Sequence, residues 1–325
     1  MKGLNKLALA TAVAAAPFAA QAELTAMSDQ AMGNTTGQAG VTIELETQIG
    51  IDQVEYTQTT DSETTGSVLM NNVSIGGIGD DADSAPYNDK LDLDINVDLA
   101  SDGSDAATYG SKNLSGMDLN DGDALISLQS RQVDADDDAV PVDMNINLGG
   151  TEGNAFQLQS SDGDDTATLM SSLDMDIFLA QLDIAARTGN SIDNDFADSG
   201  SLSIDAAFAI DNLDAEFDVA AVGIEGMRMA GVGSLNAAPQ AGGLKGPNQG
   251  TGAVASNPAV VSMDIAQGER LSGGDSSLRI SLDNFQADIW MPTINVGGGA
   301  NASIGSVGIG NLQVSNTEMA IYGRD

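Results

Sequence analysis

The side chains that carry most enzyme chemistry are missing from this chain. It has no histidine and no cysteine. That excludes a Ser-His-Asp triad, a thiol nucleophile, an imidazole base and every Cys/His zinc site. Carboxylate chemistry remains, with 48 Asp and Glu against 11 Lys and Arg. A pair of carboxylates could serve as the acid and nucleophile of a glycosidase, but no spacing singles out one pair among 48. Binding clefts also draw on aromatic side chains, and the chain has one Trp, four Tyr and seven Phe. Trp290, between Ile289 and Met291, is expected to pack in a core. No catalytic residue is assigned, and the protein is expected not to be an enzyme.

Calcium is the one cofactor the acids could take, since it prefers carboxylates and carbonyls. Asp118-Leu119-Asn120-Asp121-Gly122-Asp123 resembles an EF-hand opening. Its Gly comes one place early, and Gln129 stands where the closing Glu belongs. Gly76-Gly77-Ile78-Gly79-Asp80-Asp81 resembles one calcium-binding nonapeptide. Such repeats bind between stacked copies, and here Asp83 replaces the inward apolar residue. Asp162, Asp164 and Asp165 around Gly163 could hold an ion or form a solvated turn. Metal-ligating residues are left unassigned and no cofactor is expected, with weak Ca²⁺ binding as the alternative. Gly305, Gly308 and Gly310 open no helix, so no phosphate loop is implied.

Elements able to position any of these residues are almost all strands. Val41 to Leu45, Leu91 to Leu99, Val142 to Leu148, Leu173 to Ile177, Leu202 to Ile210 and Leu278 to Leu282 alternate apolar with polar residues, mostly Asp, Asn or Ser. Period two predicts strands with one dry face and one acidic wet face. One short amphipathic helix is expected from Leu24 to Met32, stopped by Gly33. Acidic turns are expected at 80–85, 101–105, 134–138 and 161–165.

Two segments resemble each other. Ile210-Asp211-Asn212-Leu213-Asp214-Ala215-Glu216-Phe217 parallels Leu282-Asp283-Asn284-Phe285-Gln286-Ala287-Asp288-Ile289, with weaker echoes at Asn72, Asn113 and Asn311. Asn tolerates the left-handed conformation, so each is expected to be a corner between strands. In the two main copies Leu213, Phe217, Phe285 and Ile289 should point inwards. Asp214, Glu216, Gln286 and Asp288 should face solvent, because burying an unpaired carboxylate is costly.

The chain begins with a basic Lys2 and Lys6, an apolar run from Leu7 to Ala20, and Ala20-Gln21-Ala22, an A-x-A site. A cleaved signal peptide over 1–22 is predicted, with the mature chain starting at Glu23. The protein is then exported to the cell surface, the medium or the periplasm. Lacking cysteine, it cannot be lipid-anchored there, and no later segment is apolar enough to span a membrane. Too few aromatics are present for the girdles of an outer-membrane barrel. A net charge of −37 argues against nucleic acid and anionic membrane as partners. The helix and turn occupy 23–40, and 41–325 is one β domain with a flexible Gly-rich insertion at 231–258. The expected fold is all-β, an elongated irregular β-solenoid or β-roll of stacked strands, with a two-sheet β-sandwich as the alternative.

Glu23-Leu24-Thr25-Ala26-Met27-Ser28-Asp29, followed by Thr36-Gly37-Gln38-Ala39-Gly40-Val41-Thr42-Ile43-Glu44-Leu45, resembles the start of FilA-like pilus-system proteins of Gram-negative bacteria. The match covers about the first fifty residues. The resemblance implies a structural or accessory part in a pilus-like or adhesive system, with other envelope or pilus proteins as partners. It carries over no catalytic residue. The two other functions left open are a calcium-dependent adhesin or matrix protein, and a periplasmic binder of an apolar ligand.

Overall fold

Alternating sequence becomes a sheet when one set of side chains can be dried while the other stays wet. In the computed structural model, residues 40–60, 63–78, 90–101, 103–106, 117–131, 140–190, 192, 194–235, 257–297 and 303–323 are described. They belong to a unit spanning Gly40–Asp325, apart from Met1–Ala39. The signal segment, the helix expected at Leu24 to Met32, Asn113 and the middle of the 231–258 insertion lie outside the described residues.

The described chain is nearly all β. Its strands are β1 (Val41–Thr47), β2 (Ile49–Thr60), β3 (Glu63–Gly76), β4 (Leu91–Leu99), β5 (Ser104–Asp105), β6 (Asp118–Leu119), β7 (Ala124–Ser130), β8 (Val142–Leu148) and β9 (Phe156–Gln159). They continue with β10 (Thr166–Met170), β11 (Ser172–Arg187), β12 (Ser201–Phe217), β13 (Val222–Glu225), β14 (Arg228–Ala230), β15 (Ala259–Glu269), β16 (Ser276–Val296) and β17 (Ser303–Ile321). The alternating runs read from the sequence all fall inside these strands. One 3-10 helix, Asn194–Ser199, precedes β12.

Fifteen strands join into one sheet, and β5 pairs with β6 apart from it. The sheet is open, not a barrel. Long strands change neighbours along their length. β11 pairs first with β8 and then with β7, so the sheet forks there. One limb runs on through β3 to β2, and the other through β4 to β1. On its far side β11 pairs with β12 over almost its whole length. β12 then meets β15 near its start and β13 and β14 towards its end. These three pair with β16, and β16 pairs with β17 at the far edge. Every one of these pairings is antiparallel.

Directly paired residues share a face, so the registers sort the sheet into two sides. Ile126, Ile184, Ile204, Met263 and Leu282 follow one another across five strands. Ser127, Asp183, Asp205, Ser262 and Asn284 follow one another on the opposite face. The apolar side closes where the limbs diverge. Leu91, Leu93 and Val142 are buried there, with Leu45, Ile95, Leu128, Met144 and Leu179 against them. A second cluster gathers Val73, Leu148, Ala155 and Met170. A third lies on the acidic side, where β5 and β6 bring Ala106 and Leu119 onto Leu125 and Ala185. That cover explains why Leu125 and Ala185 are apolar at positions otherwise given to polar residues.

The repeated segments do not turn corners. β12 runs unbroken through Asn212 and β16 through Asn284. Each contains a β-bulge instead. Asp211 is the extra residue opposite β11, and Asp283 the extra residue opposite β15. The likeness of the two segments is therefore a repeated bulge, which bends a long strand without ending it. Left-handed Asn occurs elsewhere, at Asn72, Asn311 and Asn316, with φ of 51°, 57° and 50°. Asn316 lies opposite Asp283, between the Leu282–Thr317 and Asn284–Ser315 pairs, where the β16–β17 register continues without a shift.

Candidate functional site

The acidic face concentrates like charges on adjacent strands. Asp183 stands opposite Asp205, Asp174 opposite Asp214, Glu44 opposite Asp94 and Glu46 opposite Asp92. Such pairs repel, and the sheet offsets them unequally. At the β1–β4 limb, Arg131 lies 3.0 Å from Asp92 and within 3.7 Å of Glu44, Glu46 and Asp94. In the next group the Asn145 amide donates at 2.8 Å to both Asp174 and Asp176. Burial raises the pKa of Asp176, and the charges of Asp174, Asp211 and Asp214 add to it, against the lowering Asn145 bond. Burial likewise raises Asp205, with Asp183, Asp264 and Asp283 contributing against a lowering bond from Ser262. Asp211 is raised by burial, against the pull of Arg228.

Two other carboxylates are buried and hold the chain's own backbone. Asp123 is fully buried. It accepts the Asn120 N–H at 2.8 Å, the Thr188 N–H at 2.7 Å and the Thr188 hydroxyl at 2.8 Å. Burial raises its pKa, but these bonds and the charge of Arg187 outweigh that and leave it lowered. The EF-hand-like segment is thus a turn whose last carboxylate ties β7 to the end of β11. Gly122 supplies its positive φ of 88°.

Asp288 is 2% exposed, contrary to the expectation that it faces solvent. Its Oδ2 accepts the N–H of Gly233 at 2.9 Å and of Leu235 at 2.8 Å, and its Oδ1 that of Asn311 at 2.6 Å. Three backbone donors replace the water it gives up. The neck of the 231–258 insertion closes beside it. Asn257 accepts the Gly231 N–H through its carbonyl, and its side-chain amide donates to Gly231, Val232 and Ser234.

At 160–165 the Asp162 carboxylate accepts the Ser160 hydroxyl and the Asp164 N–H, forming an exposed hairpin turn. The nonapeptide-like segment lies outside the described residues from Gly79 onwards. Among the described residues no group of three or more Asp or Glu is placed to hold one metal ion.

The opposite face is apolar from edge to edge, but its burial is uneven. The three clusters leave out β15, β16 and β17. Met263, Ile265, Ile280, Leu282, Phe285 and Ile289 are only half-buried. Leu213, Phe217, Phe285 and Ile289 do share this face, as expected, although Phe217 is exposed. Trp290 is on the acidic face, half-buried, and lies over Gly308, where a Cβ would come within 3.2 Å of its ring. Where β16 and β17 end, Arg270 stacks on Tyr322 at 4.2 Å and pairs with Asp275 at 3.2 Å.

Sequence reasoning missed Asp288 and the exposed edge of β17. The signal for Asp288 was Asn311, a weak echo whose backbone N–H the carboxylate caps.

Residues 1–101 match a family of unknown function, DUF6160. The matched part of the described chain runs from β1 through β4. No curated protein and no solved structure matches this chain. No helix among the described residues is long and apolar enough to cross a membrane.

Proposed function

We propose that this is an exported, non-enzymatic protein of the bacterial envelope, a structural or accessory component of a pilus-like or adhesive surface system. The observation that carries this is the use made of the carboxylates. Three are buried: Asp123 and Asp288 accept backbone N–H groups, and Asp183 accepts the Gln181 side-chain amide. The others are spread in ladders over one face, which gives a long sheet a hydrated anionic surface. The FilA-like N-terminus supports the same reading. For the architecture we favour a curled roll over a two-sheet sandwich. Fifteen strands form one sheet, and the apolar faces of its two limbs meet at Leu91, Leu93 and Val142.

The test is protease shaving of intact cells that express the full chain, with N-terminal sequencing of the released protein. Surface accessibility and a start at Glu23 are expected. A retained Met1, or protein confined to the cytoplasm, rejects the proposal.

A periplasmic binder of an apolar ligand is the second reading, favoured by the half-buried apolar face of β15 and β16. Extraction of the purified protein into organic solvent, followed by mass spectrometry, tests it. A stoichiometric lipid or other apolar molecule would favour this reading over the first.

A further inference from the structure

β17 is 19 residues long, about 60 Å of strand. Among the described residues it pairs with β16 on one side and with no other strand. A free edge of this length is a template for another strand, and proteins blunt such edges with Lys, Pro, inward charges or β-bulges; of these, β17 shows only irregularities of register, opposite Ala287–Ile289 and Met291–Asn295. β17 contains no Lys, Arg, Pro or Asp, and its single charge is Glu318. Glu318 is itself neutralised by Arg279 on β16. On the apolar face the edge presents Val307, Ile309, Met319 and Ile321, between 37% and 51% exposed.

From the length, neutrality and apolar side of this edge, we infer that β17 pairs antiparallel with β17 of a second copy, about a two-fold axis normal to the sheet. Such an axis keeps both apolar faces on one side, so these four residues gain cross-strand neighbours. The other edges fit a strand of this length less well. β2 is 12 residues long and carries Asp52 and Glu55, β1 is seven and carries Glu44 and Glu46, and β10 is five. Pairing at β17 also joins two strongly anionic chains where neither presents an unpaired charge. The edge is ordered before pairing, because Asp288 holds the Asn311 N–H and Arg270 packs on Tyr322. Little freedom is left to lose on association. The inference stands on the edge alone and does not require the surface-system reading.

Sedimentation equilibrium of the mature chain at physiological salt tests it, with circular dichroism and thermal melts as controls for folding. The wild type is expected at twice the chain mass. Ile309→Lys combined with Ile321→Lys is expected at the single-chain mass with an unchanged spectrum. Ile43→Lys, on the β1 edge, is expected to remain a dimer. If the double variant misfolds, Ser306→Asp replaces it, and loss of the dimer in the folded protein supports the pairing. A monomeric wild type, a folded β17 variant that stays dimeric, or an Ile43→Lys protein that falls to a monomer overturns it.

Discussion

Asp288 and Asn311 sit on neighbouring strands, and the carboxylate of the first accepts the backbone N–H of the second at 2.6 Å. The contact occurs where the β16–β17 register slips between Ala287 and Ile289, and Asn311 has a φ of 57°. A β-bulge leaves a backbone group outside the ladder, and here a buried carboxylate takes it up. The same side chain holds Gly233 and Leu235. One residue therefore fixes the edge strand and the neck of the insertion.

Replacing Asp288 with Ser should destabilise the sheet by about 1–3 kcal/mol or more, because three buried donors lose a charged acceptor. Asp283→Ser, at the exposed bulge of the same strand, should stay within about 0.5 kcal/mol of wild type. Denaturant melts of both variants check this. Equal midpoints would mean that Asp288 is not the anchor described.

The raised pKa values of Asp176, Asp205 and Asp211 set a pH dependence. A raised folded pKa means that the native state binds protons more readily than the unfolded chain. Its stabilising contribution is present in full below the ordinary Asp range and lost as pH rises through the folded pKa. Asp123 has the opposite sign, losing its contribution as pH falls through its lowered folded pKa. Thermal melts at constant ionic strength should therefore give a higher Tm near the ordinary Asp range, about pH 4, than near pH 8. Asp205→Asn should raise the Tm at pH 8 and reduce the difference, since Asp183 then faces an amide. A flat profile in the wild type would contradict the acidic ladder.

Calcium is not expected to matter to the turn at 120–123. Its deepest carboxylate, Asp123, is occupied by Asn120 and Thr188. Asp123→Asn should cost about 1–3 kcal/mol with or without the ion, while Asp121→Asn at the exposed tip should be silent. Melts in chelator and in millimolar Ca²⁺ make the comparison. A Tm that rises with Ca²⁺ and loses that rise in Asp121→Asn would restore the metal site.

Phe285 lies between Val261 and Val314 on the apolar face and is half-buried. Its replacement by Ala should cost roughly half of the ~3–5 kcal/mol typical of a buried Phe. Urea melts measure it. The full cost would show that this part of the face is covered in solution.

The sequence by itself determined the strands and the division of their side chains. Period two is a local property, so runs such as Leu91 to Leu99 and Leu202 to Ile210 mark a dry face and an acidic one without any knowledge of their neighbours. It also determined that histidine and cysteine chemistry is absent. Pairing was decided only by the tertiary structure, because register depends on residues far apart in the chain. Asp283 and Asp288 occur in one repeated segment, and Asp288 was expected to face solvent. The first is an exposed bulge residue, and the second is buried because Asn311 and the insertion neck converge on it. The Asn212 and Asn284 segments illustrate the same limit. Their likeness was legible, but whether it bends a strand or ends one depends on the partner strand. The exposure of β17 is likewise a fact of topology, since its sequence alternates much as the covered strands do and only the absence of a further neighbour among the described residues makes it an edge.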